Sequence, residues 1–129
     1  MEIMKFLLDY PPTWAVLLMV FDIVTGYYQA WCNHTVNSQK LKAGWSRKGA
    51  EMLYLMLIIT LNFALQHFGF VPADYEELIA LMSIDASSAY LILKELTSVC
   101  ENLCKANPEL AAVPFMQHFA VNNKHHDID

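Results

Sequence analysis

One uncharged apolar run, residues 52–71, constrains the fold of this chain more than any other feature of the sequence. Its most polar side chains are Asn62, Gln66 and His67, and Pro72 follows its end. Twenty helical residues with a rise of about 1.5 Å each extend about 30 Å, which is the thickness of the hydrocarbon core of a bilayer. The run therefore predicts a transmembrane helix.

A second run of the same length, residues 12–31, carries one charged residue, Asp22. Pro11 and Pro12 stand at its start, where proline is tolerated because the first N–H groups of a helix have no helical acceptor. The run is longer than the apolar region of a signal peptide, and no A-x-A-like cleavage site follows it. It predicts a retained membrane anchor.

A third segment, residues 78–99, is long enough to span a bilayer but contains Asp85, Lys94 and Glu95. A charge at the centre of a span costs about 2.5–3.5 kcal/mol, whereas a lysine near one end can extend to the headgroups. The segment is therefore either a third transmembrane helix or an amphipathic helix that lies on the membrane surface.

The predicted fold is a small all-α integral membrane protein with two transmembrane helices and a third, amphipathic helix. We expect residues 1–105 to form the membrane-embedded unit. Residues 106–129 are polar and contain Pro108 and Pro114, so we expect a partly disordered cytoplasmic tail.

The overall composition agrees with a membrane protein. Hydrophobic residues make up 56 % of the chain and charged residues 16 %, against about 45–50 % and about 25 % in soluble domains. This balance excludes a disordered chain and argues against a soluble enzyme. The net charge of -5 argues against a nucleic-acid partner, which would require a basic surface.

Basic residues are concentrated between the first two apolar runs. The stretch 32–50 contains no acidic residue and holds four of the eight basic residues, namely Lys40, Lys42, Arg47 and Lys48. The stretch 73–77 contains three acidic residues and no basic one. Because short loops rich in Lys and Arg stay in the cytoplasm, we expect the N-terminus outside and, with a spanning third segment, the C-terminus in the cytoplasm.

Asp22, Gly26 and Ala30 recur every four residues and share one face of the first predicted helix. Gly26 and Ala30 form a small-xxx-small pair, which lets another helix approach closely. A carboxylate inside a membrane is costly unless it is paired, protonated or hydrated. Asp22 is thus either a protonated, hydrogen-bonded member of a packing stripe or a residue that lines an aqueous lesion after the helices rearrange.

Other polar residues are further candidates for helix packing or for the lining of a lesion. Asn62 and Gln66 lie four residues apart, and side-chain amides hydrogen-bond across helices, so packing is the default and a transport site the alternative. The third segment and its continuation contribute Asp85, Glu95, Ser98, Glu101 and Asn102. For these residues the alternative is an ordinary amphipathic helix end with solvated carboxylates.

No pattern in the sequence indicates catalysis, a cofactor or a metal. A Ser/His/Asp order, a Gly-rich phosphate loop and a Cys/His metal spacing are all missing, so we expect a protein that is not an enzyme. Cys100 and Cys104 share a helical face but lack two further ligands at zinc spacing. We interpret them, with Cys32, as small apolar packing residues that stay reduced.

Four motifs follow one another at fitting distances from the predicted spans. They are Phe21-Asp22-Ile23-Val24-Thr25-Gly26 with Ala30, Val36-Asn37-Ser38, Gly44-Trp45-Ser46-Arg47-Lys48, and Glu95-Leu96-Thr97-Ser98-Val99-Cys100-Glu101-Asn102. With these motifs, which lie within residues 14–104, the sequence resembles the phage holin family, in particular the toxin-secretion and phage-lysis holins of clostridia.

The resemblance implies a protein of the bacterial cytoplasmic membrane that accumulates, forms homo-oligomers and opens lesions. The implied cargo is an endolysin or a large exported protein such as a toxin, and an antiholin is a further implied partner. An alternative remains open at this point, namely a small non-pore membrane subunit or regulator, including an antiholin, that docks a partner through its third helix.

Overall fold

The computed structural model describes residues 1–68, 75 and 83–120, and the regular elements in this part of the chain are helices. They are α1 (Glu2–Asp9), α2 (Pro11–Cys32), α3 (Ser38–Phe68), α4 (Ile84–Ala106), a 3-10 helix (Pro108–Ala112) and α5 (Pro114–Ala120). The predicted all-α fold is confirmed. Two of the described helices, Pro11–Cys32 and Ser38–His67, are long and apolar enough to cross a membrane.

The ends of α2 follow from its local sequence. Tyr10 is extended because a residue that precedes proline avoids the helical region, and Pro11 then occupies the first turn. At the other end His34 has a φ of 54°, and the Thr35 amide donates to the Ala30 carbonyl at 2.8 Å. This Schellman arrangement, with histidine where glycine is usual, reverses the chain into α3.

The largest difference from the sequence prediction concerns the basic stretch. We expected a connecting loop over 32–50 and a helix from residue 52, whereas α3 begins at Ser38. The Asn37 side chain accepts from the Gln39 amide at 2.8 Å and caps the helix. The four basic residues consequently lie on the first half of a helix about 46 Å long, longer than an apolar core requires.

The third helix is also displaced along the chain. We expected residues 78–99, and α4 covers Ile84–Ala106. Ser83 caps it by accepting from the Ala86 amide at 3.0 Å, and Asp85 in the first turn suits the helix dipole. The predicted acidic loop and the predicted start of this segment lie outside the described residues, apart from Tyr75.

The described part of the predicted tail is helical. Pro108 and Pro114 each begin a helix, because proline is compatible with the first helical position. Both short helices pack against α4. The remainder of the predicted tail, residues 121–129, lies outside the described residues.

The three long helices share one core. α2 packs along α4 more extensively than along α3. The two run parallel, since Asp22 contacts Asn102 and the Asn33 side chain, further along α2, donates to the Lys105 carbonyl. α3 runs antiparallel to both. One end of the core is apolar and is formed by Ala15, Met19, Leu55 and Leu91.

Candidate functional site: an ionic cluster between three helices

The other end of the core is charged, and Lys48 of α3 lies at its centre. Its Nζ atom is 2.5 Å from Oδ2 of Asp22 on α2, and it donates to Oε2 of Glu95 on α4. Glu95 is fully buried and Asp22 is 8 % exposed. One ammonium group therefore links all three long helices.

A second ion pair extends the cluster. Glu51 lies one turn after Lys48 on α3, with its Oε2 3.6 Å from Lys48 Nζ, and its Oε1 accepts from Lys94 of α4. The cluster thus contains three carboxylates and two ammonium groups. Taking charges out of water is expensive, so the arrangement is tolerable only while each charge has a partner.

Asn102 connects the carboxylate of Asp22 to the packing of α2 against α4. Its Nδ2 donates to Asp22 Oδ1 at 2.9 Å and to Thr25 Oγ1 at 3.2 Å. A Cβ atom added at Gly26 would lie 3.4 Å from the same nitrogen. Asn102 therefore packs next to Gly26, where a methyl group would make an ordinary contact and a larger side chain would displace the amide.

The polar core is incompletely satisfied. Oγ of Ser88 is buried without a hydrogen-bond partner within the described structure. The carboxylates of Glu51 and Glu95 lie within hydrogen-bond distance of each other, and each has one buried oxygen, Oε2 of Glu51 and Oε1 of Glu95, that accepts from no other donor there. A buried acceptor without a donor costs free energy, and a half-satisfied network holds helices together less firmly than a complete one. The cluster therefore joins the three helices through polar groups that are not all satisfied.

A cavity of about 280 Å³ lies beside the cluster, between the second half of α2 and the first half of α3. Ala30 and Ser98 line it, and so do Asp22 and Lys48. Trp45 also contributes to its wall. Space for water therefore adjoins the buried charges.

Five of the residues selected from the sequence meet in this site: Asp22, Gly26, Lys48, Glu95 and Asn102. Asp22 is ion-paired, which is one of the three ways in which its burial was expected to be tolerated. Ala30 and Ser98 border the cavity. Lys48, selected only as a topology signal, is the central cation.

The remaining candidates lie elsewhere. The Asn62 side chain donates to the Ile58 carbonyl of its own helix at 2.8 Å, and Gln66 is exposed. Asp85 is exposed in the first turn of α4, and Glu101 is half-buried. The other three basic residues of the stretch are exposed on α3, namely Lys40, Lys42 and Arg47. Of these, Lys40 also borders the cavity.

Glu51 and Lys94 belong to the site but were not selected from the sequence. Glu51 falls between the acid-free stretch and the uncharged run and belongs to neither pattern. Its spacing of three from Lys48 indicates an ion pair, because residues at i and i+3 are neighbours on a helix. Lys94 was interpreted as a lysine that extends to the headgroups.

The cysteines are free, with Cys100 buried and the other two half-buried. In the part of the chain that the structure describes, no group of three or more His, Cys, Asp or Glu side chains could hold a metal ion.

Two long apolar helices that pack with a third around an ionic core define a small all-α membrane protein. Residues 6–114 match the family described as the bacteriophage holin family, and the chain belongs to that family. The assignment predicted from the four motifs is thereby confirmed. No curated protein and no solved structure matches the chain.

Proposed function

We propose that this protein forms homo-oligomers in the bacterial cytoplasmic membrane and opens lesions through which an endolysin or a large exported protein leaves the cell. The observation that carries the proposal is the ionic cluster at the junction of the three long helices. In the closed arrangement its charges are paired inside one chain. In an open oligomer the same charges face water.

The energetic argument rests on the surroundings of the cluster. Polar groups in contact with lipid are unfavourable, whereas the same groups around an aqueous opening are hydrated. Separation of α2 from α4 exposes Asp22 and Glu95 together. A water-filled assembly relieves the unsatisfied buried acceptors that the closed arrangement retains.

The outer faces of the long helices suit lateral assembly. Large apolar side chains are exposed on α2 and on α3: Leu17, Val20, Phe21, Val24, Leu53, Met56, Leu57 and Phe63. Such faces are compatible with lipid or with a neighbouring copy. Accumulation in the membrane can therefore proceed without opening the ionic core.

The proposed orientation places the N-terminus outside and the C-terminus in the cytoplasm. The basic first half of α3 then lies at the cytoplasmic end of that helix, as the positive-inside rule requires. Because α4 runs parallel to α2, it crosses the membrane in the same direction. This alignment supports the transmembrane alternative for α4 over a surface helix that docks a partner.

Induced expression tests the proposal. We expect unimpaired growth for a period, followed by an abrupt growth arrest and a simultaneous loss of membrane potential. Asp22→Asn should change the time of onset at equal membrane accumulation, whereas Asp85→Asn, a matched change at an exposed carboxylate, should leave it unchanged. Continued growth at high accumulation would contradict lesion formation.

The same experiment separates the alternative function. A regulator such as an antiholin does not depolarise cells by itself but delays the onset caused by a co-expressed lesion-forming holin. If the protein produced this delay without any arrest of its own, the alternative would replace the proposal.

A further inference from the structure

We infer that α1 is a membrane-surface helix, with its apolar face inserted at the boundary between headgroups and acyl chains. The pattern of its eight residues carries the inference. At about 100° per residue, Glu2, Lys5 and Asp9 fall within about 60° of one another. The other five residues are all large and apolar, and they cover the rest of the circumference: Ile3, Met4, Phe6, Leu7 and Leu8.

The apolar face of α1 has no cover within the described part of the chain. No residue of α1 is buried, and the exposed fractions run from 77 % at Ile3 to 47 % at Leu7. Isolated helices of this length are unstable in water, and a contiguous exposed apolar patch indicates an interaction surface. α1 therefore requires an apolar environment that the described residues do not provide.

The junction with α2 places that environment at the membrane boundary. Tyr10 alone separates α1 from the first residue of α2, and its ring stacks on Phe6 with centroids 5.6 Å apart. The Trp14 indole donates to the Leu8 carbonyl at 2.8 Å. Tyr and Trp favour the headgroup zone because their rings are apolar and their polar atoms form hydrogen bonds.

The bilayer is a better occupant of this face than a second copy of the chain. The surface continues directly into the exposed apolar face of α2 at Trp14 and Leu17, and lipid already covers that face in a membrane protein. The polar arc carries two acidic residues and one basic residue. Insertion is consequently hydrophobic and should not require anionic lipid.

Site-directed spin labelling of the full chain in vesicles tests the inference. In a background with Cys32→Ser, Cys100→Ala and Cys104→Ser, single cysteines would replace Met4 or Leu7 on the apolar face and Lys5 or Asp9 on the polar arc. We expect the first pair to be accessible to oxygen, which partitions into lipid, and the second pair to a water-soluble nickel complex. The pattern should be the same in phosphatidylcholine vesicles and in vesicles that contain phosphatidylglycerol.

Three results would overturn the inference. Nickel access at all four positions would show that α1 is in water. Protection of Met4 and Leu7 from both reagents, increasing with the protein-to-lipid ratio, would assign the face to a second copy. Oxygen access at Met4 and Leu7 only in vesicles that contain phosphatidylglycerol would show that α1 binds the membrane through electrostatic attraction to anionic lipid.

A substitution supplies an independent measurement. Leu7→Lys should move a label at Met4 from lipid into water, whereas Glu2→Lys on the polar arc should leave it in lipid. Circular dichroism of each variant would verify that helix content is retained. The inference requires only that the protein resides in a bilayer. It can therefore be wrong while lesion formation is right, and lesion formation can be wrong while the inference is right.

Discussion

Lys48 neutralises two buried carboxylates, since its ammonium group contacts both Asp22 and Glu95. Its side chain is 14 % exposed. Removing one partner from a buried ion pair leaves an uncompensated charge, which costs more than the intact pair contributes. Substitution of Lys48 therefore tests the contribution of the cluster to stability better than substitution of either carboxylate.

Lys48→Met should lower the free energy of unfolding in detergent by about 3–5 kcal/mol, because it leaves buried carboxylates without a cation. Chemical denaturation followed by circular dichroism measures this loss. The matched control is Lys42→Met, at an exposed position of the same helix, which should change stability by less than about 0.5 kcal/mol.

Glu95→Leu should partly restore the stability of Lys48→Met. In the double variant Glu51 keeps Lys94, and Asp22 keeps its hydrogen bond from Asn102 but still lacks a cation. The most buried of the carboxylates that lost Lys48 is removed, so we expect a partial recovery. Replacement of a buried ion pair by apolar groups is often neutral or stabilising. A double variant no more stable than Lys48→Met would show that Glu95 does not depend on Lys48.

Substitutions at Gly26 should distinguish the effect of side-chain volume next to Asn102 from the effect of helix propensity. Gly26→Ala places its Cβ 3.4 Å from Asn102 Nδ2, an ordinary contact, and alanine favours a helix by about 1 kcal/mol over glycine. We expect its stability to be equal to or above that of the original chain. Gly26→Leu should lose about 1–3 kcal/mol by overpacking. Chemical denaturation in detergent, followed by circular dichroism as for Lys48→Met, compares both variants.

At the scale of elements, α4 shows how ion pairs between helices alter the cost that hydropathy assigns to a single helix. Its charged residues made the third segment ambiguous in the sequence, since hydropathy alone penalises each of them. In the fold, Lys94 pairs with Glu51, and Glu95 pairs with Lys48. Partners on α3 thus offset much of the cost that the sequence assigns to this helix.

If α4 crosses the membrane, its two ends are accessible from opposite sides. In the cysteine-free background, Lys105→Cys should resist a membrane-impermeant maleimide applied to intact cells, and Ser83→Cys should react with it. Opening the cells should make Lys105→Cys reactive, which serves as the internal control. Labelling of both positions from the same side would identify α4 as a surface helix.

At the scale of the whole molecule, opening requires α2 to separate from α4. An added Cβ at Gly26 would lie 4.0 Å from Cγ of Asn102, so Gly26→Cys with Asn102→Cys brings two thiols close together across this interface. In the same background, reconstituted in liposomes, oxidation should suppress release of an entrapped protein-sized dextran. Reduction should restore it in the same sample. Equal release in both states would mean that lesions form without separation of these helices.

Much of the architecture was accessible from sequence. The helical class, two apolar helices and the family assignment follow from run length, charge count and four ordered motifs. The helix α3 begins 14 residues before the apolar run, because hydropathy marks the apolar part of a helix and not its capped end. Asn37 supplies the cap, and a polar helical half carries no hydropathy signal.

The site was less accessible than the fold. Asp22, Glu95 and Asn102 were selected as polar residues in apolar helices, and nothing in the sequence showed that they meet. Run length, periodicity and charge are properties of one segment, and they determined that this is a helical membrane protein with costly buried charges. Only the tertiary structure decided that Lys48 pairs with Asp22 and Glu95, because the relative depth and rotation of three helices determine which charges come within contact.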